Sequence, residues 1–174
     1  TNTYNQQYEF DGKTGDNSGT FSKITTAAFV TGSQLDVNYA VYPYSKNTTI
    51  SYDGILSVTL PENQIYAQNT FGLGSNMMVA ATADSDDNML SFKNVCGYLV
   101  LKLHGTAAVR SIELKGNDNE KLAGPATVVA EYAKNPVLNM SDAASSVISL
   151  DCGDGVALGS SSSALLNTYL KNSF

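Results

Sequence analysis

The chain has 174 residues, 43% of them hydrophobic, which is enough to bury the core of one ordinary domain without a metal or a disulfide framework. Its net charge of −6 and its 10 unclustered basic residues disfavour nucleic acid as a partner. Its apolar runs are too short to span a bilayer. Thr1 opens a polar stretch, so no signal peptide is visible, and export is neither shown nor excluded.

Charged residues account for only 15%, and Ser, Thr, Asn and Gly fill the polar positions, as is typical of strands and turns. Apolar and polar residues alternate with period two, which predicts strands at residues 4–10, 21–30 and 37–42. The third strand ends at Pro43, which has no N–H to donate to a ladder. Further strands are predicted at 56–60, 77–81, 97–104, 112–114, 127–133 and 146–151.

The segment 97–104 has the strongest strand pattern. Leu99, Leu101 and Leu103 alternate with residues that are more polar on the whole. The face that carries the three leucines is therefore predicted to pack against the core. Turn residues recur at roughly the 8–12-residue spacing of sandwiches and barrels. No helical period interrupts the middle of the chain, which disfavours a βαβ architecture. We therefore predict an all-β, antiparallel sandwich.

The C-terminal stretch differs from the rest. The four serines at 160–163 can cap a short helix over 164–171, and a final strand is the alternative because short apolar runs are ambiguous. We expect one domain over residues 1–158 and a tail over 159–174. The tail is read as a short helix or strand, or as the start of a truncated second domain.

Catalytic chemistry is poorly supported by the residues. His104 is the single histidine, so any Ser-His-Asp or Cys-His site would need it, and no Gly-x-Ser-x-Gly elbow occurs. One His with two distant cysteines, Cys96 and Cys152, does not provide a zinc site. The two cysteines are read as small buried residues, with pairing left open. We predict no enzyme activity and no cofactor.

An acidic cluster is the one candidate for a cation site. Asp84, Asp86 and Asp87 begin like an EF-hand loop, but the glycine at position six and the final glutamate are missing. We interpret them as solvated turn residues, and a weak cation site is the more specific alternative. Asp151 and Asp154 form a second acidic pair in turn-like sequence. Paired carboxylates could hydrolyse a sugar, but we interpret both clusters as solvated turn residues.

Three tyrosines form the candidate ligand-binding group. Tyr42, Tyr44 and Tyr52 crowd one region of the sequence and could stack on sugars. Tyrosine is also an ordinary half-buried strand residue, and we favour that interpretation.

Several segments together resemble Bacteroides-type fimbrillin-like lipoproteins. The most specific is 90–103, in which Phe92-Lys93-Asn94 leads through Cys96 into the strong strand. The other matching segments are 39–44, 56–61, 109–114, 122–124 and 149–153. The resemblance implies a transthyretin-like Greek-key sandwich, export as a lipoprotein, and a place at the cell surface or outer membrane. Partners would be other fimbrial subunits or surface ligands, and membrane contact would come only through a lipid anchor outside this chain.

The resemblance also implies assembly by strand exchange, in which a first strand is removed and a neighbour's terminal strand replaces it. The strand expected to be exchanged carries Tyr4, Gln6, Tyr8 and Phe10. A strand lost from a sheet leaves unpaired N–H and C=O groups, and a donor strand restores them. No arginine precedes the matched segments, so a non-polymerising glycan- or ligand-binding surface module remains the alternative function.

Overall fold

A computed structural model describes residues 6–13, 18–24, 35–68, 70–159 and 163–166. In this part of the chain the regular secondary structure is entirely β, with no helix, which confirms the predicted class. The strands are β1 (Tyr8–Phe10), β2 (Phe21–Lys23), β3 (Tyr39–Tyr42), β4 (Thr49–Ile50), β5 (Ile55–Leu60), β6 (Asn63–Ile65), β7 (Met78–Ala81), β8 (Lys93–Asn94), β9 (Leu99–Lys102), β10 (Ala108–Lys115), β11 (Gly124–Val129), β12 (Val137–Met140), β13 (Val147–Ala157) and β14 (Ser163–Leu166).

The described strands form five sheets. The largest has the order β12-β11-β5-β4, and two three-stranded sheets have the orders β10-β13-β6 and β3-β7-β8. Two further sheets are pairs, β1-β2 and β14-β9. Neighbouring strands are antiparallel except β13 and β6, which are parallel. The predicted antiparallel arrangement therefore holds for every described pair but that one.

Burial in the four-stranded sheet explains the period-two alternation of apolar and polar residues in the sequence. On β5, Leu56, Val58 and Leu60 are buried, whereas Ser57 and Thr59 are exposed. The neighbouring strand β11 alternates in the same way, and it is joined to β5 over six register pairs. A one-residue slip would expose the whole apolar face, so burial of that face specifies the register.

A single apolar cluster joins the three larger sheets. Leu60 and Val128 come from the four-stranded sheet, Val79 comes from β7, and Ile148 and Leu150 come from β13. Each of these five side chains is almost completely buried. The sheets thus turn their apolar faces toward a shared core, and burial of this kind is the main favourable term in folding.

One tyrosine connects the β3 sheet to the four-stranded sheet. Tyr39, on β3, lies against the turn that precedes β5, and a Cβ atom on Gly54 would be 2.4 Å from the Tyr39 hydroxyl oxygen. Gly54 has a φ of 78°, which favours glycine, and Ser51 and Asp53 hydrogen-bond within the same turn. Burial, with a smaller effect of the Glu131 carboxylate, raises the pKa of Tyr39.

Several predicted boundaries change. The strand expected at 127–133 begins earlier, at Gly124, and ends at Val129, while the one expected at 146–151 continues to Ala157. Only Phe21–Lys23 of the long strand expected at 21–30 is described as a strand, and 25–34 lie outside the described residues. The turn at 51–54 is flanked by the short strand β4 and by β5, as its Asp-Gly chemistry predicts. Three other short strands, β6, β8 and β12, were not predicted from the sequence.

The predicted C-terminal helix is wrong where the structure describes it. Residues 163–166 form β14 and pair with β9, in agreement with the alternative of a final strand. A short apolar run takes its conformation from the ladder available to it, and tertiary pairing here overrides helical periodicity.

Candidate functional site

The short strand β14 pairs with β9. The two strands are antiparallel over four register pairs, from Ser163 opposite Lys102 to Leu166 opposite Leu99. Within the described residues β9 has no other strand partner. Leu99 and Leu101 pack against the central core. In the described part of the chain, a strand that packs against the core thus takes its inter-strand hydrogen bonds from one four-residue segment.

The buried and exposed faces of β9 agree with the sequence prediction, but the strand with which β9 pairs could not be predicted from the sequence. Leu99 and Leu101 are half-buried, whereas Val100 is 51% exposed. Just before the strand, Tyr98 stacks on Phe71 at a ring-centroid distance of 4.6 Å. Its hydroxyl donates a hydrogen bond of 3.0 Å to Asn76 Oδ1. The segment is therefore fixed on one side by packing and on its backbone edge by β14.

The predicted assembly strand lies in a separate hairpin. β1 pairs only with β2 among the described strands, with Tyr8 opposite Lys23 and Phe10 opposite Phe21. The two phenylalanine rings are 5.3 Å apart, and Gln6 Nε2 donates to the Ile24 carbonyl at 3.0 Å. Tyr4 lies outside the described residues. These contacts join the two strands to each other, and among the described residues neither strand shares a ladder with the larger sheets.

The acidic cluster is organised by its own loop. Asp84 Oδ1 accepts hydrogen bonds from the backbone N–H groups of Asp86 and Asp87, at 3.0 and 2.8 Å. Asp87 Oδ1 accepts from the N–H of Met89, and Asn38 Nδ2 donates to the carbonyl of Asp87. No group of three or more His, Cys, Asp or Glu side chains in the described ranges is placed to hold a metal ion. The arrangement is that of carboxylates capping a turn.

The three candidate tyrosines are between about half and two-thirds exposed to solvent. Tyr42 and Tyr44 are each 45% exposed and flank the cis peptide before Pro43, and Tyr52 is 63% exposed in the turn before β5. Neither of the ring contacts found among the described residues joins any two of them. The structure therefore brings Tyr42 and Tyr44 to one end of β3 and leaves Tyr52 in a different loop.

The histidine and the cysteines show no activated arrangement. His104 is exposed just after β9. Cys96 and Cys152 are free thiols buried in the core, and burial raises the pKa of both, with the Asp151 carboxylate adding a smaller effect at Cys152. A reactive cysteine needs the opposite shift, toward the thiolate.

Two concave regions were not anticipated. A cavity of about 150 Å³ lies between β7 and the loop after β11, where Lys134 forms an ion pair with Glu131 and Lys93 Nζ donates to the Lys134 carbonyl. A wider groove of about 390 Å³ lies on the four-stranded sheet. Ser57 and Thr127 in this groove are exposed and belong to the period-two pattern. The sequence therefore predicted that they face solvent, but it gave no sign of a groove.

Comparisons with known proteins give no relative to guide the assignment. No protein-family model matches the chain, and no curated protein or solved structure matches it. A search of the described residues for a helix long and apolar enough to cross a membrane finds none.

Proposed function

We propose that this chain is a fimbrillin-like structural subunit of the bacterial cell surface, without catalytic activity, that associates with other subunits through β-strand exchange or addition. The finer fold that goes with this proposal is a transthyretin-like Greek-key sandwich. Export as an outer-membrane lipoprotein belongs to the same proposal. The all-β architecture and the shared core are compatible with it.

The observation that carries the proposal is the β9–β14 pair. β9 contributes Leu99 and Leu101 to the core, yet among the described strands its one ladder partner is the short strand β14. If β14 left, the backbone groups on that edge of β9 would lose their partners, and a β14 strand from another copy could replace them by the same register. Exchange of identical elements between copies costs little because the contacts made and lost are the same.

The N-terminal strand fits an exchange role less well. β1 pairs only with β2 in the described part of the chain, so removing it would open no groove in the larger sheets. The proposal therefore assigns the exchanged strand to β14 rather than to the segment around Tyr8 and Phe10. Proteolytic removal of a first strand is not required in this form of assembly.

Cross-linking between two variants, each with one introduced cysteine, tests the assignment. Val100→Cys and Leu165→Cys occupy opposed register positions on β9 and β14. The variants are unfolded together, refolded as a mixture and treated with a short bis-maleimide reagent. Neither variant can cross-link these positions within one chain, so a covalent dimer containing both variants reports exchange between copies. The native thiols are buried and should react slowly, which the unmodified protein checks.

Val137→Cys is the matched control. Val137 is 56% exposed on β12 and has no register contact with β14, so its mixture with Leu165→Cys should give no specific dimer. The proposal predicts dimers in the first mixture that increase with protein concentration. Equal cross-linking in both mixtures, or none in the first, would show that β14 does not exchange.

A further inference from the structure

Strand β10 is the longest edge strand in the described part of the chain. It has eight residues, Ala108–Lys115, and within the described ranges it pairs with β13 on one side only. Every other described edge strand has four residues or fewer. The outer edge of a strand presents a row of backbone N–H and C=O groups, and another strand can pair with them.

Hydrogen bonds to β13 show which residues of β10 carry these outer backbone groups. The N–H of Gly116, directly after β10, donates to the Ser146 carbonyl at 3.0 Å, so the backbone groups of Gly116 face β13. Because these groups alternate in direction along a strand, those of Ser111, Glu113 and Lys115 point away from β13. No described residue hydrogen-bonds to them there. They are therefore available to a further strand.

The charges on β10 are complementary to those on a second copy of the same strand. Neighbouring pairs of an antiparallel ladder alternate in type, so a two-fold axis must place one residue opposite its own copy. With Leu114 on the axis, Glu113 of each copy lies opposite Lys115 of the other, and both side chains are exposed. With Glu113 on the axis, two carboxylates would be opposed, and with Ile112 there, Glu113 would face Ser111. Opposite charges stabilise a cross-strand pair and like charges destabilise it, so the charges select Leu114.

We propose that two copies of the chain associate edge to edge through β10, antiparallel and centred on Leu114, with residues 112–116 of each copy paired. The two Glu113–Lys115 pairs combine an ion pair with two exchanged backbone hydrogen bonds each. The two β10-β13-β6 sheets then become one continuous sheet. This association goes beyond the proposed exchange of β14, because β10 shares no ladder with β9 or β14 among the described strands.

Charge reversal in the two ion pairs tests the register. Sedimentation velocity of the full chain over a range of concentrations measures the dimerisation constant. Glu113→Lys and Lys115→Glu each place like charges opposite each other twice, so each variant alone should dimerise about tenfold more weakly than the unmodified protein. An equal mixture of the two variants restores both opposite-charge pairs and should form a heterodimer. The double variant Glu113→Lys/Lys115→Glu restores them within one chain and should dimerise as the unmodified protein does.

Asp36→Lys and Lys46→Glu are the matched controls. Both residues are exposed and lie outside β10, and the substitutions change the net charge by the same amounts as those in β10. Neither should weaken dimerisation. In a chain with a net charge of −6, general repulsion predicts that Glu113→Lys strengthens association, which is the opposite of the effect expected from the ion pairs. Circular dichroism should show that all variants are folded.

Three results would overturn the proposal. One is an unmodified protein that stays monomeric up to its solubility limit. Another is a dimer that neither single reversal weakens, which is what exchange of β14 alone would give. The third is a mixture of the two reversed variants that forms no heterodimer, because the charges would then not lie opposite each other.

Discussion

The contact between Gly54 and Tyr39 provides a quantitative test of how two sheets are held together. Alanine at position 54 would adopt a φ near 78°, and the left-handed region costs an L-residue about 1–2 kcal/mol. Its Cβ would also lie 2.4 Å from the Tyr39 hydroxyl oxygen and 3.1 Å from Cζ. The ring must then leave its preferred rotamer, at about 1 kcal/mol. Gly54→Ala should therefore destabilise the fold by about 2–3 kcal/mol.

A double-mutant cycle separates the two causes. Tyr39→Phe removes the closest atom, so Gly54→Ala should cost about 1 kcal/mol less in that background. Gly74 is the matched control, because its φ is 81° and a Cβ there would meet nothing within 4 Å. Gly74→Ala should show only the conformational cost, and Tyr39→Phe should not change it. Unfolding in urea, followed by far-UV circular dichroism, measures each free energy.

The result that would refute this reasoning is specific. If Gly54→Ala and Gly74→Ala cost the same, and Tyr39→Phe alters neither cost, the phenol does not lie against the turn. The β3 sheet would then pack on the four-stranded sheet in some other way.

The remaining predictions concern the core and its surroundings. Leu60→Ala should cost about 2–5 kcal/mol by urea unfolding, whereas Leu73→Ala should cost under about 0.5 kcal/mol, because the two leucines are 1% and 98% exposed. Burial raises the pKa of Cys96 above its ordinary 9.0, so the stability it contributes is complete below that pH and is lost as pH rises. Cys96 alone should lower the free energy of unfolding by up to about 1.4 kcal/mol per pH unit between about pH 9 and pH 10. Cys152, whose pKa burial also raises, adds to that slope, so Cys96→Ala should make the slope shallower without abolishing it under reducing conditions. Gly72→Ala would place a Cβ 2.1 Å from a backbone carbonyl oxygen of β6 and should cost about 1–3 kcal/mol, while Gly97→Ala meets nothing within 4 Å and should be nearly neutral in thermal unfolding.

The candidate sites differ in how far local sequence could reveal them. The groove residues Ser57 and Thr127 are 70 positions apart in the numbering, and their neighbourhood exists only because β5 and β11 pair. The acidic residues are adjacent in sequence, yet their hydrogen bonds to backbone N–H groups depend on the folded loop. The residue types thus showed that carboxylates were present, whereas the loop conformation decided that they accept hydrogen bonds from the backbone.

Period-two alternation by itself determined that the chain is β and which side of β5 and β9 faces the core, because successive side chains of a strand point to opposite faces. The same alternation carries no information about which strand supplies the neighbouring backbone groups. Only the tertiary structure decided that Leu99 lies opposite Leu166, that β13 and β6 are parallel, and that β1 is paired apart from the larger sheets. Backbone hydrogen bonds are chemically alike at every residue, so partner choice follows from burying all the apolar faces together.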